Sequence, residues 1–376
     1  MHRLMASRRL FLLLGLVAIC AMSSGPAEGQ TALPINIGAG LDMVLDAPLN
    51  EIGDTEFELR AFELNIGAPV DPYFDMVTTI GYHDGEFDVE EAWASTILPG
   101  GIKLAMGREM IPFGYLNRVH EHDFPQIDQP YVIEGLVTDH GLIGDGGHLE
   151  YMAPFLNPTL TLNLGVYQKI GESVGRRLEG FPIMGRMQTF FQCPEGVHAI
   201  LAGASYLTGA GDTDHMEGRL DAEQRTADRR ALGKIQHLAG IDFKYQYSPV
   251  GRTYRGLTLA GELLYVEYDP YRNHVAYDQD PDLDPGTDVG LYLYAHWNRD
   301  RFWGAGYRFD YTDPLFNAVT GAGKLTAHSV YGEWRGTEFS RIRLQYQYLS
   351  ESGGDDAHRL MLQGTYFVGW HPPHRF

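Results

Sequence analysis

Residues 237–248 read HLAGIDFKYQYS. On an extended chain Ala239, Ile241, Phe243, Tyr245 and Tyr247 share one face, and Gly240, Asp242, Lys244 and Gln246 share the other. A period of two marks a strand with one apolar and one polar side. Residues 340–350, SRIRLQYQYLS, repeat the plan: Ile342, Leu344, Tyr346 and Tyr348 oppose Arg341, Arg343, Gln345 and Gln347. So do residues 300–311, DRFWGAGYRFDY, where Trp303, Ala305, Tyr307, Phe309 and Tyr311 oppose Gly304, Gly306, Arg308 and Asp310.

A soluble sandwich also alternates, but these strands reach the roughly 9–11 residues that a tilted membrane strand needs. The 22 Tyr and 5 Trp cluster near strand ends, as interfacial girdles do. The pattern therefore predicts an all-β fold, a transmembrane antiparallel up-and-down β-barrel. Candidate strands fall at 35–46, 55–67, 73–83, 86–97, 101–110, 146–153, 159–169, 183–191, 197–207, 236–248, 256–268, 287–299, 302–311, 325–335, 340–350 and 358–370. That is sixteen, an even number, as single-chain outer-membrane barrels have. The weakest pattern is IMGRMQTFF at 183–191, and fourteen strands is the alternative count. The second strand slips phase near Ala61 and Phe62, the mark of a bulge.

The connections test the count. With a periplasmic N-terminus every second connection should be short, and these read GAPVDP, LPG, APFLNP, QCPEG, SPVGRTYR, NRD and RGTEF. The others include residues 111–145, 208–235, 269–286 and 312–324. This is the short-turn, long-loop asymmetry of outer-membrane barrels. The chain begins with an export pattern: Arg3, Arg8 and Arg9, then the apolar run Leu10–Met22, then small residues near Ala27–Gly29. Residues 1–29 are read as a signal peptide and 30–376 as the barrel. No later stretch holds 18 consecutive apolar residues, so no spanning helix is expected. The formal charge is −20 and becomes −22 once a leader with three Arg and one Glu is removed, which argues against nucleic acid. Cys193 alone remains after such cleavage, which excludes a disulfide framework and a CxxC zinc site.

The third long loop contains VHEHDFPQIDQPYVIEG, residues 119–135. It is too apolar for disorder, and loops of this length are commonly functional. It is expected to fold into the lumen and narrow it. His120, Glu121, His122, Asp123, Asp128 and Glu134 would line the constriction, facing Lys244, Arg308, Arg341 and Arg343 on the wall. A metal alternative uses His120, His122, Asp123 and His140, since an HxH pair on an extended chain puts both rings on one side and suits zinc. A calcium alternative uses the acidic loop 269–288, which lacks the Gly and Glu positions of an EF-hand and reads first as a solvated loop. No other cofactor is expected. Enzymatic motifs are absent: GASYL at 203–207 lacks the second glycine of a nucleophile elbow and sits in a strand, and His328 and Ser329 face opposite sides.

Gly107–Arg108, His122, Asp128 and Pro130, then Gly141, Leu142 and Gly146, then Pro154, form one spaced pattern. With the ending Gly369, His371, His374 and Phe376, it resembles a family of porin-like outer-membrane barrels. These are described as phosphate-selective-porin-related or as zinc-regulated TonB-dependent outer-membrane receptors. The resemblance implies a passive or regulated channel with a metal connection. The plug domain of energised receptors is not expected, because the first strand begins within about ten residues of the predicted cleavage site. The sequence thus reads as a Gram-negative outer-membrane porin passing small polar solutes or ions, surrounded by lipid and lipopolysaccharide, with a homotrimer as one assembly it allows and the oligomeric state left open. The alternatives are a metal- or ligand-binding barrel that does not conduct freely, and a structural or adhesive barrel.

Overall fold

A computed structural model describes residues 34–50, 54–83, 86–133, 141–153, 156, 158–170, 182–208, 234–269, 286–313, 324–352 and 356–370. Sixteen strands follow in chain order. They are β1 (Asn36–Pro48), β2 (Glu56–Pro69), β3 (Phe74–His83), β4 (Glu86–Leu98), β5 (Ile102–Met110), β6 (Ile143–Ala153), β7 (Thr159–Ile170) and β8 (Ile183–Gln192). The second half holds β9 (His198–Thr208), β10 (Lys234–Tyr247), β11 (Gly256–Asp269), β12 (Gly286–Asn298), β13 (Trp303–Thr312), β14 (Leu325–Thr337), β15 (Ser340–Glu351) and β16 (Ala357–Gly369). Each pairs antiparallel with its neighbours in sequence, and β1 pairs with β16 to close the barrel. Every expected strand is present with its ends moved by three residues or fewer, and the eighth decides the count at sixteen rather than fourteen. The leader, residues 270–285 of the acidic loop, and the HPPH ending lie outside the described residues.

The two faces differ as the period-two pattern requires. Ile241 is 58% exposed on the outside, whereas Asp242 beside it is 5% exposed inside. Outward Leu, Ile, Val, Phe and Met continue round the wall, an apolar surface far larger than the few hundred Å² a soluble monomer shows. At the short-turn end it is rimmed by exposed Trp297, Trp303, Trp334, Phe302 and Phe339. At the other end Tyr206, Tyr307 and Tyr346 hydrogen-bond His237, His328 and His358 at 2.5, 2.7 and 2.7 Å. His328 thus lies outside, while Ser329 is fully buried inside and receives Gln347 Nε2 at 3.1 Å.

Short turns are fixed by local chemistry. Asp71 Oδ1 accepts the Tyr73 and Phe74 amides at 2.7 and 2.9 Å, and Asp300 Oδ1 accepts those of Phe302 and Trp303 at 2.8 and 2.9 Å. Such Asx closure satisfies turn amides without lengthening the loop.

Two of the bulges in the wall lie on β2 and β4, the strands on either side of β3. Asp42 pairs with Ala61 and Met43 with Leu59, leaving Arg60 extra in β2. This is the phase slip read near Ala61. Thr79 pairs with Glu91 and Ile80 with Val89, leaving Glu90 extra in β4. A bulge sets two consecutive residues against one and re-aims side chains. Here it turns both Glu90 and Glu91 toward the interior, where their side chains are 7% and 13% exposed.

Candidate functional site

The chain leaves β5 and folds into the barrel over residues 111–133. Its neck is closed by Asn117, whose Nδ2 donates to the Ile111 and Leu142 carbonyls at 2.8 and 3.0 Å while its Oδ1 accepts the Leu142 amide at 2.5 Å. Ile111, Phe113, Leu116, Phe124, Val132 and Ile133 then pack on inward Tyr167, Met184, Leu207, Leu238, Leu264, Val266, Tyr292 and Tyr294. Each such side chain stabilises the docked loop by roughly 1.5–3 kcal/mol relative to exposure in a wet lumen. Gly240 makes the room: a Cβ there would lie 2.7 Å from Leu264 and 3.3 Å from the Phe113 ring.

Polar groups anchor the loop at three places. At the first, Glu262 Oε1 accepts the Tyr115 and Leu116 amides at 2.9 and 2.6 Å and the Tyr292 hydroxyl at 2.8 Å. The preceding residue, Gly114, has φ +65° and gives its amide to Ser205 Oγ at 3.0 Å. Burial pushes the Tyr115 hydroxyl above its ordinary pKa, and the Lys244 ammonium lies 5.2 Å over its ring.

At the second anchor Arg308, 0% exposed, donates to Asp128 Oδ2 at 2.8 Å, to the Asp128 and Gln129 carbonyls at 2.7 and 3.2 Å, and to Asp310 Oδ2 at 2.7 Å. Asp310 Oδ1 in turn accepts the Tyr131 amide at 3.2 Å. Gln345 and Gln347 also donate to Asp128, and Gln345 Oε1 accepts the Ile127 amide at 2.9 Å. Arg343 holds the Gln126 carbonyl at 2.9 Å and Arg60 holds that of Ile127.

Burial alone would raise the Asp128 carboxyl, but the Arg308 charge and the hydrogen bonds from Gln345, Arg308 and Gln347 hold it below the usual range. A depressed carboxylate pKa contributes stability that is complete above the unfolded value of about 3.9 and is lost as pH falls through the folded one. The part of loop docking that rests on Asp128 is therefore expected to weaken below about pH 4. Single-channel recordings on wild type and Asp128→Asn check this. The acid-induced change should be missing in the variant, and an equal change in both would assign it elsewhere.

At the third anchor the single-turn 3₁₀ helix Glu121–Asp123 turns His120 and His122 back onto β2 and β4. His120 Nδ1 is 3.2 Å from Glu63 Oε1 and 3.2 Å from Glu90 Oε2, and its Nε2 is 3.7 Å from Glu91. His122 Nδ1 is 2.9 Å from Glu63, and its Nε2 is 3.5 Å from Asp123. Burial would depress both imidazoles, but the Glu63 charge and the surrounding carboxylates outweigh it; His120 is raised well above its ordinary value and His122 to about 9. Behind them, on β3, His83 Nε2 contacts Glu90.

The expected residues meet in an unexpected way. His120 and His122 are 5% and 2% exposed, and their rings pack against the wall. Asp123 and Glu121 stay partly open beside Arg341 and Arg60, at 3.7 and 4.0 Å. Arg308 and Arg343 face inward as expected, yet the loop covers both. Glu134 and His140 lie outside the described residues. Sequence reasoning overlooked Glu63, His83, Glu90 and Glu91 on the wall. Their signal was the pair EE at 90–91, which breaks the alternation of β4 where the bulge forms.

On the short-turn side of the docked loop a cavity of about 300 Å³ remains. Arg118, Glu150, Asn163, Arg186 and Gln188 line it. Arg186 is held by Asp242 through two bonds of 2.6 and 2.9 Å. The result is a polar chamber beside a loop that narrows the barrel.

No family model matches the chain. An uncharacterized protein of Aquifex aeolicus (strain VF5) is 30% identical over 349 residues, covering 85% of this chain and 70% of that protein. Among solved structures, the anion-selective porin from Comamonas acidovorans superposes with a TM-score of 0.57 at 10% identity, over 89% of this chain and 100% of that one. A loop L8 deletion mutant of OmpT, an outer membrane protein of Vibrio cholerae, gives 0.57 at 12% identity over 90% and 100%. The trimer form of that protein gives 0.53, with the same identity and coverage. The outer membrane channel DcaP of Acinetobacter baumannii gives 0.54 at 10% identity over 92% and 100%. At these identities the likeness to the solved structures is one of fold, and the fold is that of outer-membrane porins.

Proposed function

The chain belongs to one family with the uncharacterized Aquifex aeolicus protein and has the fold of outer-membrane porins, and from that premise we propose that it is a diffusion channel of a Gram-negative outer membrane. The observation that carries this reading is residues 111–133 docked inside a closed barrel whose outer face is apolar and rimmed by aromatics. An apolar band between aromatic girdles is the surface a barrel presents to lipid. An inward loop sets the width of the passage, and the charges beside it bias what passes. The passage runs by the chamber of Arg118, Glu150 and Arg186, so small polar solutes and ions are the proposed cargo. The trimer form of the Vibrio cholerae neighbour supports a homotrimeric assembly. The proposed role is transport rather than catalysis.

Refolded protein in planar bilayers tests the proposal. Discrete conductance steps are expected, with a reversal potential under a salt gradient that gives the sign of selectivity. A folded, heat-modifiable barrel that inserts without conducting would overturn it and favour a binding or structural barrel.

A further inference from the structure

Wall and loop bring carboxylates and imidazoles to one buried point. Glu63 comes from β2, Glu90 from the bulge of β4 and His120 from the loop, and one ligand-capable atom of each lies within 4.8 Å of the others. A first-row divalent cation bonds His nitrogen and carboxylate oxygen at about 2.0–2.2 Å, which sets neighbouring ligands of a tetrahedral site about 3.4 Å apart. The two distances from His120 Nδ1, 3.2 Å to Glu63 Oε1 and 3.2 Å to Glu90 Oε2, are close to that edge.

A second observation points to a ligand. Glu63 is 2% exposed, and its Oε2 has no hydrogen-bond partner. A buried, unsatisfied carboxylate oxygen costs about 1–3 kcal/mol or more. Glu63 borders a cavity of about 30 Å³, also lined by Glu90, His120 and His122, which is room for a water molecule or a single ion. Loop anchoring by ion pairs would need no bulge. The extra residue in β4 is what adds Glu90 to the side that Glu91 already faces, and bulges of this kind concentrate next to functional sites.

We propose that Glu63, Glu90 and His120 form a binding site for a first-row divalent cation such as zinc, with His122 or water as the fourth ligand, so that the ion clamps the inward loop to β2 and β4. A dication neutralises two buried carboxylates that would otherwise rely on imidazolium partners. The site stands whether or not the barrel conducts, and its test reads binding alone.

The test uses the refolded chain, stripped of metal, with His371→Ala and His374→Ala removing the terminal imidazoles. Zn²⁺ is titrated by calorimetry and Co²⁺ by visible absorption. One equivalent is expected to bind, with Co²⁺ bands of a four- or five-coordinate nitrogen–oxygen site. Glu63→Gln, Glu90→Gln and His120→Ala should each weaken binding at least ~10-fold. His198→Ala, on the outer face against Tyr245, should leave it unchanged. Heat-modifiable gel mobility identifies which variants fold, and those are the ones compared. Absence of a stoichiometric site, or equal affinity in the folded Glu63, Glu90 and His120 variants, overturns the proposal and leaves an ion-pair anchor only.

Discussion

Replacing Arg308 with alanine is expected to release the inward loop and raise single-channel conductance several-fold. Arg308 reaches Asp128, the Asp128 and Gln129 carbonyls and Asp310 together. Removing it leaves two buried carboxylates beside each other without their cation. Breaking one partner from a buried pair costs about 3–5 kcal/mol, enough to move a docked segment to a largely undocked one. The wall should survive, because β13 keeps its ladder to β12 and β14. Arg308→Lys should restore docking only in part, since an ammonium is a point charge without the guanidinium fork. Trypsin cleavage after Arg118 reads loop release directly, and conductance reads its consequence. Wild-type conductance together with wild-type protease resistance in Arg308→Ala would show that Arg308 is not the anchor.

The second large effect is expected at Gly114. Its φ of +65° is a left-handed conformation, and a Cβ there would lie 2.2 Å from Glu262 Oε2. Gly114→Ala therefore meets a conformational penalty of about 1–2 kcal/mol. It also has to push away the carboxylate that accepts the Tyr115 and Leu116 amides. Leaving such buried groups unpaired adds about 1–3 kcal/mol. Gly100→Ala is the matched control, because Gly100 has φ +87° and nothing within 4 Å of its Cβ position. Gly114→Ala should give a fluctuating, larger conductance and a loop open to protease, whereas Gly100→Ala keeps the wild-type current. Equal behaviour of the two would mean that the clash with Glu262 does not govern docking.

Particular residues show how far the sequence carried. Ile241 beside Asp242, or Leu344 beside Arg343, announces which way each side chain points, because lipid and lumen are two solvents on opposite faces of a single strand. The inward course of residues 111–133 was legible from the length and apolar content of the loop. What His120 and His122 touch was not. The HxH spacing suggested rings exposed to a passing solute or shared with Asp123, yet the nearest carboxylates are Glu63 and Glu90, far away in the chain. Glu90 is within reach only because β4 bulges, and the alternation rule gives no reason to place Glu90 and Glu91 on one side.

The sequence by itself determined where the strands lie, their inside and outside faces and the long loop. Those features rest on a period of two and on turn chemistry, both local along the chain. Only the tertiary structure decided that Arg308 grips Asp128 across 180 residues and Arg343 grips Gln126 across 217. Those contacts depend on the curvature and stagger of a closed wall, which brings strands from opposite ends of the chain to face the same loop. One-dimensional alternation carries the direction of a side chain but not the partner it meets.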